Sequence, residues 1–333
     1  MRLFRRNAEP SPDFWTWWDG ARDRIAQAIE AGGIDRALVE EISKAVRAID
    51  PRLAWELSKG RSSKHALTVT PEGNPLSRSA AVTWLASAPA PDATWEYFAA
   101  RQASSSTDGV FVVEGVDIPI AETRAVTSWD PTRRRVSVRL WHPTFERSTE
   151  PFRQQVSFLI LDNLLGEDDV ERWIGRIDPA TAPIGGRTPE ELRDEVARHA
   201  AEPAGETWIL GELEDHRGQV QIVMADAAMK RIDLPLSDQH VAVTIGLDGM
   251  PDQRVADALN AAEDELVALL GSRATLAGRT TTPFARVIHF VAEEPSEVRA
   301  VVGGWRDAHP AWRINLAIEH DPRWEFQRLL GLR

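Results

Sequence analysis

Residues 240–247 read HVAVTIGL, and they begin the run of elements from which we predict the fold. A helix, two strands, a second helix and a last strand follow, at 252–270, near 274–281, near 285–292, at 295–308 and at 312–319. Strand, helix, strand, strand, helix, strand is the ferredoxin-like order. We therefore expect an antiparallel sheet with helices on one face, preceded by a strand pair in TWILGELEDHRGQVQIVMA at 207–225.

The first part of the chain offers the same order from residue 65 onward, provided that a hairpin at 122–141 supplies the central strands. Its turn is predicted at Asp130-Pro131-Thr132, because Asp-Pro favours a turn. The fold class predicted for the whole chain is α+β. It consists of two tandem ferredoxin-like α/β-sandwich domains that follow an N-terminal pair of helices.

The aromatic stretch FWTWW at 14–18 belongs to the first of these helices. Seven apolar residues fall on one helical stripe: Phe14, Trp17, Trp18, Ala21, Ile25, Ala28 and Ile29. This spacing predicts a core-facing helix that ends at Gly32-Gly33. Trp15 lies off the stripe, so it either packs under a loop or belongs to a ligand-binding surface.

The segment DPATAPIGGRTPEE at 178–191 is rich in Pro, Gly and Thr and is the predicted domain boundary. It separates an N-terminal domain, residues 1–178, from a C-terminal domain, residues 188–333. Thr188 and Glu191 have the spacing of a capping box, with Pro189 in the first turn, so a helix is expected to begin there.

Composition limits the classes of function. Apolar residues make up 43% and charged residues 27% of the 333, which is typical of globular proteins. No apolar run is long enough to span a membrane and no leader pattern opens the chain, so we expect a cytoplasmic protein without membrane contact. The absence of cysteine excludes disulfides, thiolate nucleophiles and cysteine-ligated metals. No motif indicates a cofactor.

The net charge of −12 is concentrated in the second part. Residues 181–333 carry 16 basic and 25 acidic side chains, whereas residues 1–180 carry 23 and 26. A field of this sign repels phosphate backbones, which argues against nucleic acid as a partner. It favours a basic protein partner, although an acidic surface can also serve solubility alone.

Several polar residues are candidates for binding or catalysis. Asp162 lies in an apolar helix and must meet an arginine or backbone donors if it is buried, which makes a structural role the first interpretation and a functional acid the second. His289 lies in the strand RVIHFV, where alternation can place it on either face. The triplet Glu319-His320-Asp321 ends the last strand, either as a cap for the next turn or as acid–base groups. No histidine spacing indicates a metal site.

Stretches that span nearly the whole chain together resemble bacterial proteins that carry the domain of unknown function 695. They are FWTWW, ALTVTPEG, ASAPAPDATWEYFAARQ, FLILDNLLGE, GLDGMPDQRVADALNAAEDEL, ARVIHF and AWRINLAIEHDPRWEFQRLL. The resemblance places the named domain at residues 206–330 and implies no established activity or catalytic residue. Its fold class is similar to that of small acidic bacterial inhibitors of the RNA-degrading endonuclease E, an analogy of fold alone.

Two functions follow as hypotheses. The first is a non-enzymatic regulatory module whose acidic C-terminal domain binds another macromolecule, because no catalytic motif is found. The alternative is a hydrolase that uses carboxylates with His289 or His320. The candidate binding residues are Trp15, Asp162, His289, Glu319, His320 and Asp321. The sequence indicates neither a substrate nor an oligomeric state.

Overall fold

The computed structural model describes residues 12–104, 106–214 and 218–332, and it divides the chain into two compact units. The first unit comprises the described residues up to Asp130 together with Arg135–Pro203. The second comprises Pro131–Arg134 and the described residues from Ala204 onward. Among the described helices, none is long and apolar enough to cross a membrane.

The first unit mixes helices and short strands. Its helices are α1 (Pro12–Glu30), α2 (Arg36–Ile49), α3 (Arg78–Ala86), α4 (Glu150–Leu165), α5 (Glu167–Trp173) and α6 (Pro189–Ala201). Its strands are β1 (Ala54–Lys59), β2 (His65–Thr70), β3 (Trp95–Phe98), β4 (Val110–Val113), β5 (Val116–Pro119), β6 (Arg124–Asp130), β7 (Arg135–Trp141) and β8 (Ile174–Pro179). The α+β class and the leading pair of helices are as predicted.

The strands of this unit form separate small sheets, in the orders β1-β2-β3, β4-β5 and β6-β7-β8. Strand β2 runs parallel to β3, and β7 runs parallel to β8. Parallel neighbours need a crossover, which α3 supplies for the first pair and α4 with α5 for the second. The hairpin β6–β7 pairs with β8, in a sheet separate from that of β2. The single ferredoxin-like sheet expected from residue 65 onward therefore does not form.

Helix α1 contributes its aromatic stripe to the core beside β1-β2-β3. Phe14, Trp18, Ala21 and Ile25 are buried, and Trp17 is half-buried. They pack with apolar side chains of α2, α3 and the sheet in one cluster. The core-facing helix predicted from FWTWW is confirmed.

Helix α6 belongs to the first unit, so the compact division falls at residue 203 instead of within 178–191. The predicted capping box is present, with Thr188 and Glu191 each bonded to the other's backbone N–H. Leu192 and Val196 are buried in the same cluster as the apolar side of α4. Arg187 also forms a backbone bridge with Ala125 of β6. The Pro- and Gly-rich segment is thus held by β6, and α6 after it covers the apolar core formed with α4 and β7.

This division makes a prediction for limited proteolysis. The protease Glu-C should cut first after Glu206, because residues 203–206 are exposed and include the point along the chain where the first unit ends and the second begins. Trypsin should cut slowly after Arg187, since both backbone groups of that residue bond to Ala125, at 2.8 and 3.0 Å. Mass spectrometry of early digests identifies the sites, and rapid tryptic cleavage at Arg187 would contradict the division.

The second unit contains one six-stranded sheet and two long helices. The elements are β9 (Trp208–Glu214), β10 (Val220–Asp226), β11 (Gln239–Gly246), α7 (Gln253–Leu270), β12 (Ala274–Thr281), β13 (Ala285–Ala292), α8 (Pro295–Ala308) and β14 (Arg313–His320). A short 3-10 turn at Glu325–Leu330 follows. The strand order is β14-β11-β13-β12-β10-β9 with every pair antiparallel. The predicted succession of elements is found.

The two faces of this sheet differ in their covering. Alternation along β11 turns Val241, Val243 and Ile245 toward one face, where they form a cluster with buried residues of α7 and α8. On the opposite face, Trp324, Phe326 and Leu330 of the C-terminal segment pack over β10 and β12. We call this second side the turn-side face.

Candidate functional site

The turn-side face holds a concave pocket of about 630 Å³, which is the size of many small-molecule sites. It lies where β11, β13 and β14 meet the C-terminal turn. Its polar lining consists of His240, His289, Glu319, His320, Asp321, Glu325, Gln221 and Thr280, and its apolar lining of Ala242, Val287, Ala317, Phe326 and Leu329.

Two imidazoles form the most buried polar part of this pocket. His240 is 8% and His289 is 3% exposed. Alternation in β11 and β13 places both on the turn-side face, since His289 is paired with Ala242, two residues along from His240. Nε2 of His240 lies 3.0 Å from Nδ1 of His289, so the two rings share one hydrogen bond. Phe326 stacks on His240 at 4.5 Å between ring centres.

Filling this space with two histidines costs folding free energy. Nε2 of His289 is buried and has no hydrogen-bond partner among the described residues. An unsatisfied buried polar group costs about 1–3 kcal/mol, whereas apolar side chains of similar shape would not incur that cost. Packing alone therefore does not account for two histidines here.

Burial keeps both rings neutral near pH 7. It lowers the pKa of His289 to about 3, with a smaller contribution from the neighbouring His240. Burial also lowers the pKa of His240, against the opposing effect of the Asp321 and Glu319 carboxylates. His240 is thus the member of the pair that takes up a proton more readily, and a neutral imidazole is a competent general base.

The carboxylates of the pocket have different surroundings. Glu319 is exposed and is the residue directly opposite His240 in the β11–β14 register. Asp321 Oδ2 accepts the backbone N–H of Phe326 at 3.0 Å, so this side chain holds the C-terminal turn as a cap. Glu325 pairs with Arg328. His320 is exposed, with Nδ1 3.3 Å from the Gln239 amide. Glu319 is therefore the carboxylate best placed to face a ligand beside His240.

The pocket brings together four of the six residues singled out in the sequence, namely His289, Glu319, His320 and Asp321. It adds His240 and Phe326, which sequence reasoning did not single out. The signal for His240 was weak, because it stands at the start of a strand and its closeness to His289 depends on how β11 and β13 pair.

Trp15 lies apart from this pocket, in the core of the first unit. Its indole stacks on Trp84 at 4.9 Å and meets Tyr97 edge-on at 5.0 Å. The side chain is half-buried, and its Nε1 is enclosed. These contacts match the packing interpretation of Trp15 and leave little of its ring for a ligand.

Asp162 also lies in the first unit, near Arg101. Its Oδ2 is 3.9 Å from Arg101 Nη1. Burial, followed by the charge of Glu167, raises the pKa of Asp162 to about 6, while Arg101 acts in the opposite direction. The arginine partner required by the structural interpretation is present. Among the described residues, no group of three or more His, Asp or Glu side chains has an arrangement that could hold a metal ion.

The lowered pKa values predict a specific response to acid. Between the ordinary histidine pKa of 6.5 and the folded value of about 3 for His289, the unfolded chain binds more protons than the folded one. Stability must therefore fall as the pH is lowered through this range, by at most about 1.4 kcal/mol per pH unit for each imidazole. The variant His240→Leu/His289→Leu lacks this loss.

Denaturant unfolding of the parent and the double variant at several pH values between 7 and 4 tests this. The variant should match or exceed the parent near pH 7 and gain on it steadily toward pH 4. Parallel stability curves for the two proteins would contradict the buried neutral pair.

A family model described as a family of unknown function, DUF695, matches residues 228–330. The match covers about the C-terminal third of the chain, and it includes both histidines of the pair and the C-terminal turn. It begins after β9 and β10, later than the expected start at 206. No curated protein and no solved structure matches this chain.

Proposed function

We propose that the pocket on the turn-side face is the active site of an acid–base hydrolase. The observation that supports this most strongly is the hydrogen-bonded pair His240–His289, buried at the pocket with Glu319 opposite. A buried imidazole pair that leaves one nitrogen unsatisfied needs an explanation beyond packing, and acid–base chemistry supplies one.

The proposed chemistry uses the ring nitrogen of His240 that the pair leaves unused, Nδ1. In the tautomer where Nε2 of His240 donates to Nδ1 of His289, Nδ1 of His240 can accept a proton from a bound water. The water oxygen then adds to the carbonyl carbon of an ester substrate. The same proton passes afterwards to the leaving group.

Two neighbours support the imidazolium that forms during this cycle. Nδ1 of His289 continues to accept the hydrogen bond from Nε2–H of His240, so His289 acts as a positioning residue. The charge of Glu319, opposite His240, favours the protonated ring. Ala242, Val287 and Leu329 supply apolar surface for the rest of a substrate.

A panel of p-nitrophenyl esters, with neutral and with amine-bearing acyl groups, tests the proposal. His240→Phe should lower kcat/KM by roughly 10²–10⁴. His320→Ala, at an exposed imidazole of the same pocket, is the matched control and should change it little. A parent no faster than His240→Phe on every ester overturns the proposal.

The pH–rate profile distinguishes the role of His289. His289→Leu removes the acceptor of the Nε2 proton and so destabilises the His240 imidazolium. The acidic limb of the profile should move to lower pH, a shift that loss of packing alone does not cause.

A second function, binding of a basic protein partner in the cytoplasm as a regulator, is favoured by charge. The described lining of the pocket contains three carboxylates and no lysine or arginine. The surplus of 25 acidic over 16 basic side chains in residues 181–333 adds a long-range attraction. Affinity capture at low and high salt tests this function, and recovery of no basic protein at either counts against it.

The finer fold and family assignments are part of the proposal. The order β14-β11-β13-β12 with α7 and α8 on one face supports a ferredoxin-like class for residues 239–320. The stretches FWTWW, ALTVTPEG and FLILDNLLGE support extending the resemblance to bacterial proteins of the family into the first unit.

A further inference from the structure

The first unit contains a separate pocket of about 560 Å³ beside strand β1. It is lined by Ile29, Gly33 and Ile34 from the region where α1 gives way to α2, and by residues of β1, the turn after it and the start of β2. From this pocket we infer a binding site for an amphipathic organic anion, a ligand with an aromatic or aliphatic body and one acidic group.

The apolar part of the pocket has a fixed shape. Trp55 and Leu57 occupy alternate positions of β1 and so share one face of the strand. β1 is the edge strand of its sheet, and Trp55 and Leu57 are both half-buried, so this face is only partly covered. Trp55 Nε1 donates to Ser43 Oγ at 2.9 Å, which holds the indole in place. A flat apolar ligand would find a preformed wall here.

The polar part of the pocket is cationic. Lys59 follows Leu57 on the same face of β1 and is exposed. Lys64 also lines the pocket, with Nζ 3.0 Å from Glu30 Oε1. No acidic side chain is among the described residues of the lining. Glu30 balances the charge of Lys64, so in a chain of net charge −12 the local attraction for an anion rests on the exposed Lys59 beside the apolar wall.

His65 adds an unsatisfied donor or acceptor to the cationic end. It is 9% exposed and lies opposite Lys59 in the β1–β2 register. Its Nε2 is buried without a hydrogen-bond partner among the described residues, 3.9 Å from Glu30 Oε1. An oxygen of the ligand can supply the missing hydrogen bond after a small movement of the ring. The apolar wall, the exposed Lys59 and the unsatisfied imidazole thus select the same class of ligand.

A competing explanation is that Lys59 only protects the edge of the sheet, as lysines on edge strands often do. The two explanations differ in what they predict for a ligand. Edge protection needs no pocket and gives no dependence of anion binding on Lys59.

The probes are 8-anilinonaphthalene-1-sulfonate, whose fluorescence increases in apolar sites, and N-phenyl-1-naphthylamine, which has the same rings without the charge. The full-length chain should bind the sulfonate at one saturable site. Lys59→Glu should raise its Kd by roughly tenfold or more, as loss of a charged hydrogen bond does. Lys44→Glu is the matched control, because Lys44 is exposed on α2 outside the lining and carries the same change of charge.

Circular dichroism confirms that each variant is folded. A Kd that Lys59→Glu leaves unchanged, an equal effect of Lys44→Glu, or tighter binding of the neutral probe overturns the inference. Absence of saturable sulfonate binding to the parent also overturns it. The variant Leu57→Asp tests the apolar contribution separately, because it should weaken the binding of both the sulfonate and the neutral probe.

Discussion

Replacement of Trp18 by alanine is expected to lower the free energy of unfolding by about 3–5 kcal/mol, the usual cost of truncating a buried tryptophan. Trp18 is 1% exposed at the centre of the aromatic cluster of the first unit. Its ring meets Trp95 edge-on at 4.9 Å, and its Nε1 donates to the Tyr97 hydroxyl at 2.9 Å. The variant loses this packing and leaves the Tyr97 oxygen without its donor. Such a loss is a large part of the stability of a typical domain.

Two neighbours provide the controls. Trp15→Ala and Trp17→Ala should each cost clearly less, because both side chains are only half-buried. Trp17 loses one bond, from Nε1 to Glu41 at 2.9 Å, and Trp15 loses its stack on Trp84. Chemical denaturation of the three variants beside the parent gives the comparison. Equal and negligible losses at all three would contradict the buried helix and make the aromatic stretch a functional surface again.

Replacement of Arg78 by leucine is expected to cost about 3–5 kcal/mol, because it leaves the buried carboxylate of Glu167 without its counter-charge. Arg78 is 2% exposed and pairs with three carboxylates, those of Glu167, Asp168 and Glu171. Glu167 is itself 4% exposed. Burial alone would lower the pKa of Arg78, but the three carboxylates raise it above its ordinary value.

Glu167 keeps other donors in this variant. It accepts from the Thr70 hydroxyl and from the backbone N–H of Gly73 and Arg101. These bonds satisfy its oxygens without neutralising its charge, so a large penalty should persist. Arg78→Lys keeps the charge but not the forked geometry and should recover part of the loss.

Arg36→Leu is the surface control for this experiment. Arg36 forms an ion pair with Glu40 at 3.0 Å on the outside of α2, with 92% of its side chain exposed. Exposed pairs of this kind contribute little. Urea unfolding curves of the three variants and the parent should place Arg78→Leu far below the others. Losses of similar size for Arg78→Leu and Arg36→Leu would show that the buried network is not needed for stability.

The candidate site could be predicted only in part. The pattern of residues drew attention to His289 and to Glu319-His320-Asp321, all of which line one pocket. Alternation within RVIHFV left the orientation of His289 open, because both neighbours of this histidine are apolar and both faces of its strand are covered. The pair with His240 depends on the alignment of β11 and β13, two strands separated by α7 and β12. Local sequence does not encode such an alignment.

Local sequence is enough to predict three features of this protein: the core stripe of α1, the capping box of α6, and the succession of strands and helices in residues 239–320. Each depends on side chains a few positions apart, whose periodicity and capping act within one segment. Which strands share a sheet, where the two units divide and which polar groups meet depend on long-range packing. Those outcomes depend on burying side chains against distant parts of the chain. Helix α6 buries Leu192 and Val196 against α4 and β7, and Phe326 packs on His240. Contacts of that range are settled by packing of the whole unit, and no short stretch of residues contains them.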